Sequence, residues 1–412
     1  MAWQVVSGGV TAPKGYRAAG ITAGLKPSGL PDLALIVSDV EAIAAGVFTL
    51  SVVRAACVDY CRDKLRARPN ARAILCNAGQ ANAATGSQGM ADAVDSAQSL
   101  SQLLGILPEA ILLASTGVIG QRIKLDILKS ALPKLIESLS DSGSDDAAKA
   151  ICTTDLVPKA IALETTFGDR PVRIGGICKG SGMIHPNMAT MLGFITCDAA
   201  VSPHLWQQML SRAVDKSFNQ ITVDGDTSTN DTVLALANGE SRTPAITEPS
   251  AEADKLEAML TEVCIYLAKA IARDGEGATC LIEVQVSGAT DDASARKIAR
   301  AIAGSSLTKA AIFGRDPNWG RIAGAAGRAD VLFNQDDLQI KIGDFLMMDR
   351  GQPQPFDRTA ANAYLKQAAA GAYLQEDTVL ISLSVGDGSG FGTAWGCDLS
   401  YDYVKINAEY TT

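Results

Sequence analysis

The 412-residue sequence is poor in a residue type on which many enzymes depend, because it contains only two histidines, His185 and His204. A metal site built on several histidines is therefore excluded, and no H-E-x-x-H motif occurs. A Ser-His-Asp triad would have to use one of these two residues, and no G-x-S-x-G elbow supports it. We expect His204, in a polar stretch at a predicted helix start, to lie at the surface.

Excess positive charge and long apolar runs are also missing. The formal net charge is −9, which argues against a general nucleic-acid binder, since such a protein needs a basic face. No apolar run approaches the roughly 18 residues that span a bilayer, and the N-terminus lacks the pattern of a signal peptide. We therefore predict no nucleic-acid partner, no membrane partner and a cytoplasmic location.

The nine cysteines include no CxxC pair. Cys57 and Cys61 are four residues apart, so a helix would place them on one face, but no further His or Cys pair completes a zinc site. We predict reduced, mostly buried thiols and no metal ion.

Hydrophobic periodicity alternates between β-type and helical segments, which predicts a layered α/β fold without specifying the strand order. The clearest helix covers 252–273, where apolar residues recur with helical spacing. Gly275 would end it, which places Glu276 at a junction between a helix and a strand. The length allows two or three domains or one large one. The predicted strands are Asp32–Ser38, Ala71–Cys76, Ala110–Ser115, Pro171–Cys178, Thr190–Cys197, Thr232–Leu236 and Thr378–Leu383.

Two polar segments, 138–146 and 239–254, are predicted to be solvated linkers.

Three glycine-rich segments, 77–86, 224–231 and 386–396, allow either a phosphate loop or tight turns, and none matches a known phosphate-loop pattern. Residues 224–231, DGDTSTND, could hold a cation or form a hydrogen-bonded turn network. A non-catalytic binder of small molecules or phosphate therefore stays open.

The stretch KGSGMIHPNMATML (179–192) passes from glycines through Pro186 into a predicted strand. By spacing alone, Thr190 is an ordinary β-branched strand residue, and no physical rule selects it from the other threonines. The stretch nevertheless resembles the signature of the ornithine acetyltransferase (glutamate N-acetyltransferase) family of arginine biosynthesis. Further matching blocks run almost end to end: GGVTAPKGYRAAGITAGLK, ASTGVIGQ, TTDLVPK, ITVDGDTSTND, RDGEGATC, FGRDPNWGRI and INAEYTT.

The resemblance implies a precursor that cuts itself between Ala189 and Thr190, giving an alpha chain of residues 1–189 and a beta chain of residues 190–412. Thr190 would then be the nucleophile. A hydroxyl is a poor nucleophile until a base takes its proton, and the new α-amine, with a reference pKa of roughly 8, could serve as that base. The small number of histidines is consistent with this chemistry.

The resemblance also assigns the other site residues. Thr116 and Gly117 would form the oxyanion hole, which faces the developing negative charge. From the residues alone, Lys179 and Glu276 would be surface charges; by charge they suit a substrate carboxylate and an ammonium. The implied substrate contacts are Thr153, Lys179, Thr190, Glu276, Asn407 and Thr412.

The implied reaction is ping-pong transfer of an acetyl group from N-acetylornithine to glutamate, through an acetyl ester of Thr190. It needs no cofactor, and acetyl-CoA is a further donor that the resemblance leaves open. The implied fold is α/β, with layered sheets between helices and a smaller second region, and the implied assembly has two alpha and two beta chains. The alternative is an N-terminal-nucleophile aminopeptidase or amidase of similar fold, which would release the acyl group to water.

Overall fold

The structure is a computed structural model that describes residues 3–185 and 191–409. Strands and helices alternate over most of these residues, as the mixed periodicity predicts. The strands are β1 (Gln4–Val6), β2 (Tyr16–Ile21), β3 (Leu33–Phe48), β4 (Asn70–Gln80), β5 (Ile111–Val118), β6 (Lys159–Phe167), β7 (Arg170–Lys179), β8 (Leu192–Cys197), β9 (Thr232–Ala237), β10 (Leu281–Ala289), β11 (Gln339–Ile342), β12 (Phe345–Asp349), β13 (Gln352–Pro353), β14 (Thr378–Ser384) and β15 (Gly390–Cys397).

Several helices begin at a residue whose side chain caps the first turn. Ser250 Oγ accepts a hydrogen bond from the Ala253 amide at 3.1 Å, which satisfies one of the free N–H groups at that helix start. The helices are α1 (Ala56–Ala67), α2 (Gly86–Leu104), α3 (Leu125–Glu137), α4 (Ser144–Ile151), α5 (Pro203–Asp215), α6 (Ala251–Arg273), α7 (Asp292–Ala303), α8 (Ser306–Phe313), α9 (Trp319–Gly327), α10 (Arg358–Ala369) and α11 (Tyr401–Glu409).

The larger sheet has nine strands in the order β1-β6-β7-β8-β9-β3-β4-β5, with β2 also paired to β3. The pairs β8–β9 and β4–β5 are parallel, and the others are antiparallel. Strands β8 and β9 follow residue 190 in sequence, yet they lie between β7 and β3, which precede it. Segments from both sides of residue 190 therefore share one sheet.

Helices cover both faces of this sheet. Successive residues of β9 point to opposite sides: Leu234 and Leu236 pack into one core, and Val233 and Ala235 pack into the other. This is the two-residue period of a strand that is buried on both faces. Helices α1 to α4 cover the first core, and α5 and α6 cover the second.

A second, six-stranded sheet lies within residues 281–397, in the order β13-β12-β11-β14-β10-β15. It has a separate core with α7, α9 and α10. Helix α6 contacts β6 and β7 of the large sheet and β10 and β15 of the small one. The α/β class, the layers and the smaller second region are confirmed.

The predicted elements agree with the observed ones. Each of the seven predicted strands overlaps a strand of the structure, and α6 begins one residue before its predicted start. Strand β3 is much longer than predicted because it continues past Ser38, where its register with β4 shifts, and pairs with β9 from Ile43 to Phe48. The predicted strand at 190–197 starts at Leu192 among the described residues.

The prediction of solvated linkers holds in part: most residues of both segments are exposed or half-buried, but each segment also has buried residues that anchor it to the rest of the fold. Ser144 is buried and begins α4, and its Oγ accepts a hydrogen bond from the Val10 amide at 3.1 Å. In the second segment, Ile246 is buried and forms a β-bridge with Val201. Polar composition is misleading here because the polar atoms are satisfied by other parts of the chain.

The cysteines are unpaired, and all except Cys152 are buried, as predicted for mostly buried thiols. Burial raises the pKa of Cys57 to about 11.

Across residues 3–185 and 191–409, no three His, Cys, Asp or Glu side chains are grouped so that they could hold a metal ion. In the same residues, no helix combines the length and apolar character needed to cross a membrane.

Candidate active site

Six of the residues implied by the resemblance line one cavity of about 420 Å³. They come from the end of β5, the loop after α4, the end of β7, the turn after α6 and helix α11. Residues this far apart in the sequence meet only through the fold. The six residues are Thr116, Gly117, Thr153, Lys179, Glu276 and Asn407.

Lys179, the last residue of β7, connects two of the other residues. Its ammonium donates to Thr153 Oγ1 at 2.7 Å and to Thr116 Oγ1 at 3.3 Å. The side chain is buried, so the simple expectation of a surface charge is wrong. A buried ammonium that donates to two hydroxyls presents positive charge to the cavity.

A buried ion-pair network lies behind Lys179. Asp155 Oδ1 accepts from the Gly180 amide at 2.7 Å and from Lys159 Nζ at 2.7 Å, while Asp155 Oδ2 is 4.0 Å from Lys179 Nζ. Burial alone would raise the pKa of Asp155, but Lys159 and Lys179 hold it well below its usual range. Lys159 also donates to Asp274 Oδ2 at 2.6 Å. Because few polar atoms of this network are left without a partner, the network fixes the position of the end of β7.

Gly117 has a backbone conformation that favours glycine. Its φ is +125°, in the left-handed region. It lies opposite Gly79 in the β4–β5 pair, and a Cβ at Gly117 would be 2.3 Å from the Gly79 carbonyl carbon. Both the backbone angle and the close approach therefore require glycine, which keeps the backbone of this segment at the cavity wall.

Glu276 and Asn407 meet at another wall of the cavity. Asn407 Nδ2 donates to Glu276 Oε2 at 2.8 Å, and the Glu276 amide donates to the Ser181 carbonyl at 3.1 Å. Glu276 is buried, whereas Asn407 lies on the exposed helix α11. A Cβ at Gly182 would lie 2.5 Å from the Glu276 carboxyl. Because glycine has no Cβ, the turn after Lys179 leaves room for this carboxylate. Glu276 follows α6, as predicted.

Asp231 is a cavity residue that sequence reasoning missed. It is 1% exposed and lines the same cavity. Burial raises its pKa well above the usual value, although it accepts hydrogen bonds from Ser228 and from the Met191 amide. Its Oδ2 has no hydrogen-bond partner among the described residues. The residue stands in the DGDTSTND segment, but its burial depends on tertiary contacts that composition does not reveal.

The DGDTSTND segment forms a hydrogen-bonded turn network, the simpler of the two expectations. Asp224 accepts from the amides of Met183 and Ile184 at 2.6 and 2.9 Å. Asn230 Nδ2 donates to the carbonyls of Ala81 and Ser115 at 2.6 and 2.7 Å. The segment thereby connects the turn after β7 with the end of β5.

Three predicted residues, Ala189, Thr190 and Thr412, lie outside the described residues. The chain is described again from Met191, and both Met191 and Leu192 line the cavity. In the sequence, Thr190 therefore directly precedes a residue of the cavity wall. The predicted roles of all the site residues stay predictions.

Known proteins resemble this chain over nearly its whole length. A family model described as the ArgJ family matches residues 17–412. The chain belongs to the ArgJ family. The arginine biosynthesis bifunctional protein ArgJ 1 of a Nostoc species is 78% identical over 410 residues, which cover 100% of this chain and 99% of that protein.

Two solved chains are also similar to this ArgJ-family member. An ArgJ chain from Bacillus halodurans is 45% identical, covers 53% of this chain and 98% of its own length, and has a TM-score of 0.50. An ornithine acetyltransferase from Mycobacterium tuberculosis, described as complexed with ornithine, is 37% identical and covers 46% of this chain and 100% of its own length, with a TM-score of 0.43. The predictions of an acyltransferase of arginine biosynthesis and of its family are confirmed.

Proposed function

We propose that this ArgJ-family chain transfers an acetyl group from N-acetylornithine to glutamate, by way of an ester on Thr190. The observation that carries this proposal is the convergence of Thr116, Gly117, Lys179 and Glu276 on one cavity that also includes Met191. A threonine that served only as a strand residue would not be expected next to this set of groups. The cavity combines a hydroxyl, a glycine backbone, an ammonium and a carboxylate, which are the groups that an acyl transfer between amino acids requires.

The first half-reaction exchanges one bond for another. The hydroxyl oxygen of Thr190 forms a bond to the acetyl carbon as the amide C–N bond of N-acetylornithine breaks. The hydroxyl proton passes through the α-amine of Thr190 to the departing ornithine nitrogen. In the second half-reaction, the glutamate amine attacks the ester and Thr190 recovers its proton, so the energy balance needs neither ATP nor a redox cofactor.

The hydrogen bond made by Thr116 supports its proposed role in the oxyanion hole. Its Oγ1 accepts a hydrogen bond from Lys179, so its own hydrogen is free to point away from the ammonium and toward the reacting carbonyl. With the Gly117 amide as a second donor, the developing negative charge would be stabilised by roughly 3 kcal/mol per donor.

Charge supports the assignment of the substrate groups. Both substrates are amino acids, and the cavity offers Lys179 for a carboxylate and Glu276 for an ammonium. Asn407 holds the Glu276 carboxylate through one oxygen, which leaves the other for the ligand. Lys179 can therefore hold the α-carboxylate that both substrates share, whereas Glu276 suits the side-chain ammonium of N-acetylornithine, because the α-nitrogen of that substrate carries the acetyl group.

Self-cleavage before Thr190 is compatible with the fold. Because β8 and β9 lie between β7 and β3, the two products would stay joined by sheet hydrogen bonds and by both cores. The solved Bacillus halodurans chain matches 53% of this chain over 98% of its own length, which is close to the share that residues 190–412 make up. The proposal also includes an assembly of two alpha and two beta chains. It further includes a cytoplasmic location, because all nine cysteines are unpaired.

The experiment compares the wild type with Thr190→Ala, using intact mass and an acetyl-transfer assay. We expect two wild-type chains, one of which begins at Thr190, and a single inactive mutant chain. Thr290→Ala is the matched control, because Thr290 is exposed and outside the cavity; it should be cleaved and active. An uncut wild-type chain that still transfers acetyl groups would contradict the mechanism. Release of free acetate without glutamate would instead indicate the amidase alternative.

A further inference from the structure

The carboxyl group of Asp231 is an ionisable group of the active-site cavity that the proposed acetyl transfer does not use. The residue immediately precedes β9, lines the cavity and is 1% exposed. Its Oδ2 is buried and has no hydrogen-bond partner among residues 3–185 and 191–409. A buried carboxyl oxygen without a partner is unfavourable, and such atoms are uncommon outside sites where the oxygen has a function.

Backbone hydrogen bonds fix the position of Asp231. Its carbonyl oxygen accepts from the amide of Thr49, just beyond β3, at 2.9 Å. The next residue, Thr232, begins β9, and its amide donates to the Met191 carbonyl oxygen at 2.9 Å. The Asp231 carboxyl group accepts from the Met191 amide. Two consecutive residues therefore bind both backbone polar groups of Met191, the residue that follows Thr190 in the sequence.

The bond that the proposed self-cleavage breaks is one residue from this contact. It joins the Ala189 carbonyl carbon to the nitrogen of Thr190, which precedes Met191. Because Asp231 Oδ2 has no partner, the oxygen that accepts from Met191 is Oδ1. Successive backbone nitrogens are separated by three bonds and therefore lie no more than about 3.7 Å apart. A carboxyl group that binds the Met191 amide through one oxygen is thus within reach of the Thr190 nitrogen through the other.

The chemistry of the cut requires a proton at that nitrogen. An amide nitrogen is a poor leaving group until it gains a proton, so an acid beside it accelerates cleavage of the C–N bond. Burial raises the pKa of Asp231 well above its usual value, so the fold favours the protonated form that can act as this acid. His185 is unsuited to the role, because burial lowers its pKa to about 4 and it is already deprotonated at neutral pH.

Two other ionisable groups face the same cavity. The ammonium of Lys179, on β7, opposes the effect of burial on Asp231 because it favours the carboxylate. Glu276 follows α6 and is the remaining ionisable residue in the described part of the cavity lining. Both are assigned to the substrates, which leaves Asp231 for the cleavage step.

We propose that Asp231 is the proton donor for self-cleavage and gives the proton of Oδ2 to the Thr190 nitrogen as its bond to Ala189 breaks. This inference rests on the proposed function and deepens it. In the step, the Thr190 hydroxyl oxygen forms a bond to the Ala189 carbonyl carbon, the C–N bond breaks, and the nitrogen takes the carboxyl proton. The hydroxyl proton replaces that proton on Asp231, so the acid is regenerated. Water then hydrolyses the resulting ester to give the two chains.

The rate of self-cleavage of the freshly made full-length chain tests the assignment. Cell-free synthesis with a labelled amino acid, stopped at successive times, gives the uncut precursor and the two products, which a denaturing gel separates. We expect Asp231→Asn to be cleaved roughly 100-fold more slowly than the wild type, because the isosteric amide still accepts the Met191 hydrogen bond but has no acidic proton. Asp226→Asn is the matched control, since Asp226 is exposed in the same segment and outside the cavity; it should be cleaved at the wild-type rate.

The dependence of this rate on pH separates proton donation from a structural role. The wild-type rate should fall as pH rises from about 5 to about 10, because the protonated acid is lost. In Lys179→Met the decline should move to higher pH, since the ammonium no longer favours the carboxylate of Asp231. A decline that disappears in Lys179→Met would make the lysine the acid and would overturn the proposal.

Two further outcomes decide the assignment. A thermal melt checks that Asp231→Asn is folded, and the proposal is overturned if the folded variant is cleaved as fast as Asp226→Asn. It is also overturned if the wild-type rate is constant or rises over the pH range, a measurement that needs no variant. A wild-type chain that stays uncut contradicts the proposed function and this inference together, whereas equal cleavage of wild type and Asp231→Asn contradicts this inference alone.

Discussion

Lys179 Nζ lies 2.7 Å from Thr153 Oγ1, a contact between the end of one strand and a loop 26 residues earlier. The same ammonium also donates to Thr116, so this one buried charge links two other predicted site residues. We expect Lys179→Met to lower kcat/KM by roughly 100-fold, because the substrate carboxylate loses its charged donor.

Steady-state kinetics with both amino-acid substrates measures this effect. Lys134→Met is the control, since Lys134 is exposed on α3 and outside the cavity; its kcat/KM should match the wild type. Activity of Lys179→Met within a factor of two of that control would rule out a role for this ammonium in substrate binding.

Gly117→Ala should destabilise the protein more than Gly120→Ala. Both glycines have positive φ, but the added Cβ would clash with Gly79 only at position 117, and nothing lies within 4 Å at position 120. We expect a loss of about 1 kcal/mol in the free energy of unfolding for Gly120→Ala and roughly 3 kcal/mol or more for Gly117→Ala. Urea denaturation compares the two; equal losses would show that the close approach to Gly79 has no energetic consequence.

Asn407→Asp should impair activity more than Asn407→Ala. The alanine removes the 2.8 Å hydrogen bond to Glu276, whereas the aspartate places a second negative charge beside that carboxylate. We expect losses in kcat/KM of roughly 10-fold for the alanine and more for the aspartate. Lys405→Ala, on the same exposed helix, should have no effect. An aspartate variant as active as the alanine variant would show that charge at this position is unimportant.

Asp231→Asn should change how stability depends on pH. Burial raises the pKa of Asp231 in the folded protein, so the folded state favours the protonated acid. Its contribution to stability is full below the unfolded pKa of roughly 4 and is lost as pH rises through the folded pKa. Thermal melts should therefore show that wild type loses stability relative to Asp231→Asn as pH rises, by at most ~1.4 kcal/mol per pH unit. A constant difference across pH would contradict the raised pKa.

Lys159→Met should be far more destabilising than Lys149→Met. Lys159 is buried between Asp155 and Asp274. Its removal leaves the Asp274 carboxylate without its cation and Asp155 with only Lys179 at 4.0 Å, a loss of about 3–5 kcal/mol. Lys149 pairs with Asp146 on the surface at 3.8 Å, where such pairs contribute less than ~1 kcal/mol. Chemical denaturation of the two variants measures the difference, and similar midpoints would show that the buried network does not stabilise the fold.

The helices, the strands and most of the candidate site could be predicted because the signals for them lie in short stretches of neighbouring residues. Strand and helix periodicity depends on neighbours within a few residues, and α6 shows it most clearly. The motif blocks that identify the family are also local, and they name Lys179 and Glu276 without any knowledge of their burial. Polar composition failed at Ser144 because a hydroxyl that caps another segment cannot be distinguished from one that faces water.

Sequence alone determined the α/β class, the family and the identity of the predicted site residues. Only the tertiary structure decided the strand order, the interleaving of β8 and β9 between β7 and β3, and the burial of Asp231 and Lys179. The physical reason is that burial and pairing are properties of long-range contacts. The charge of Arg300 can be read from the sequence, but the burial of its Nε and Nη2, which have no hydrogen-bond partner among the described residues, depends on everything that packs around it.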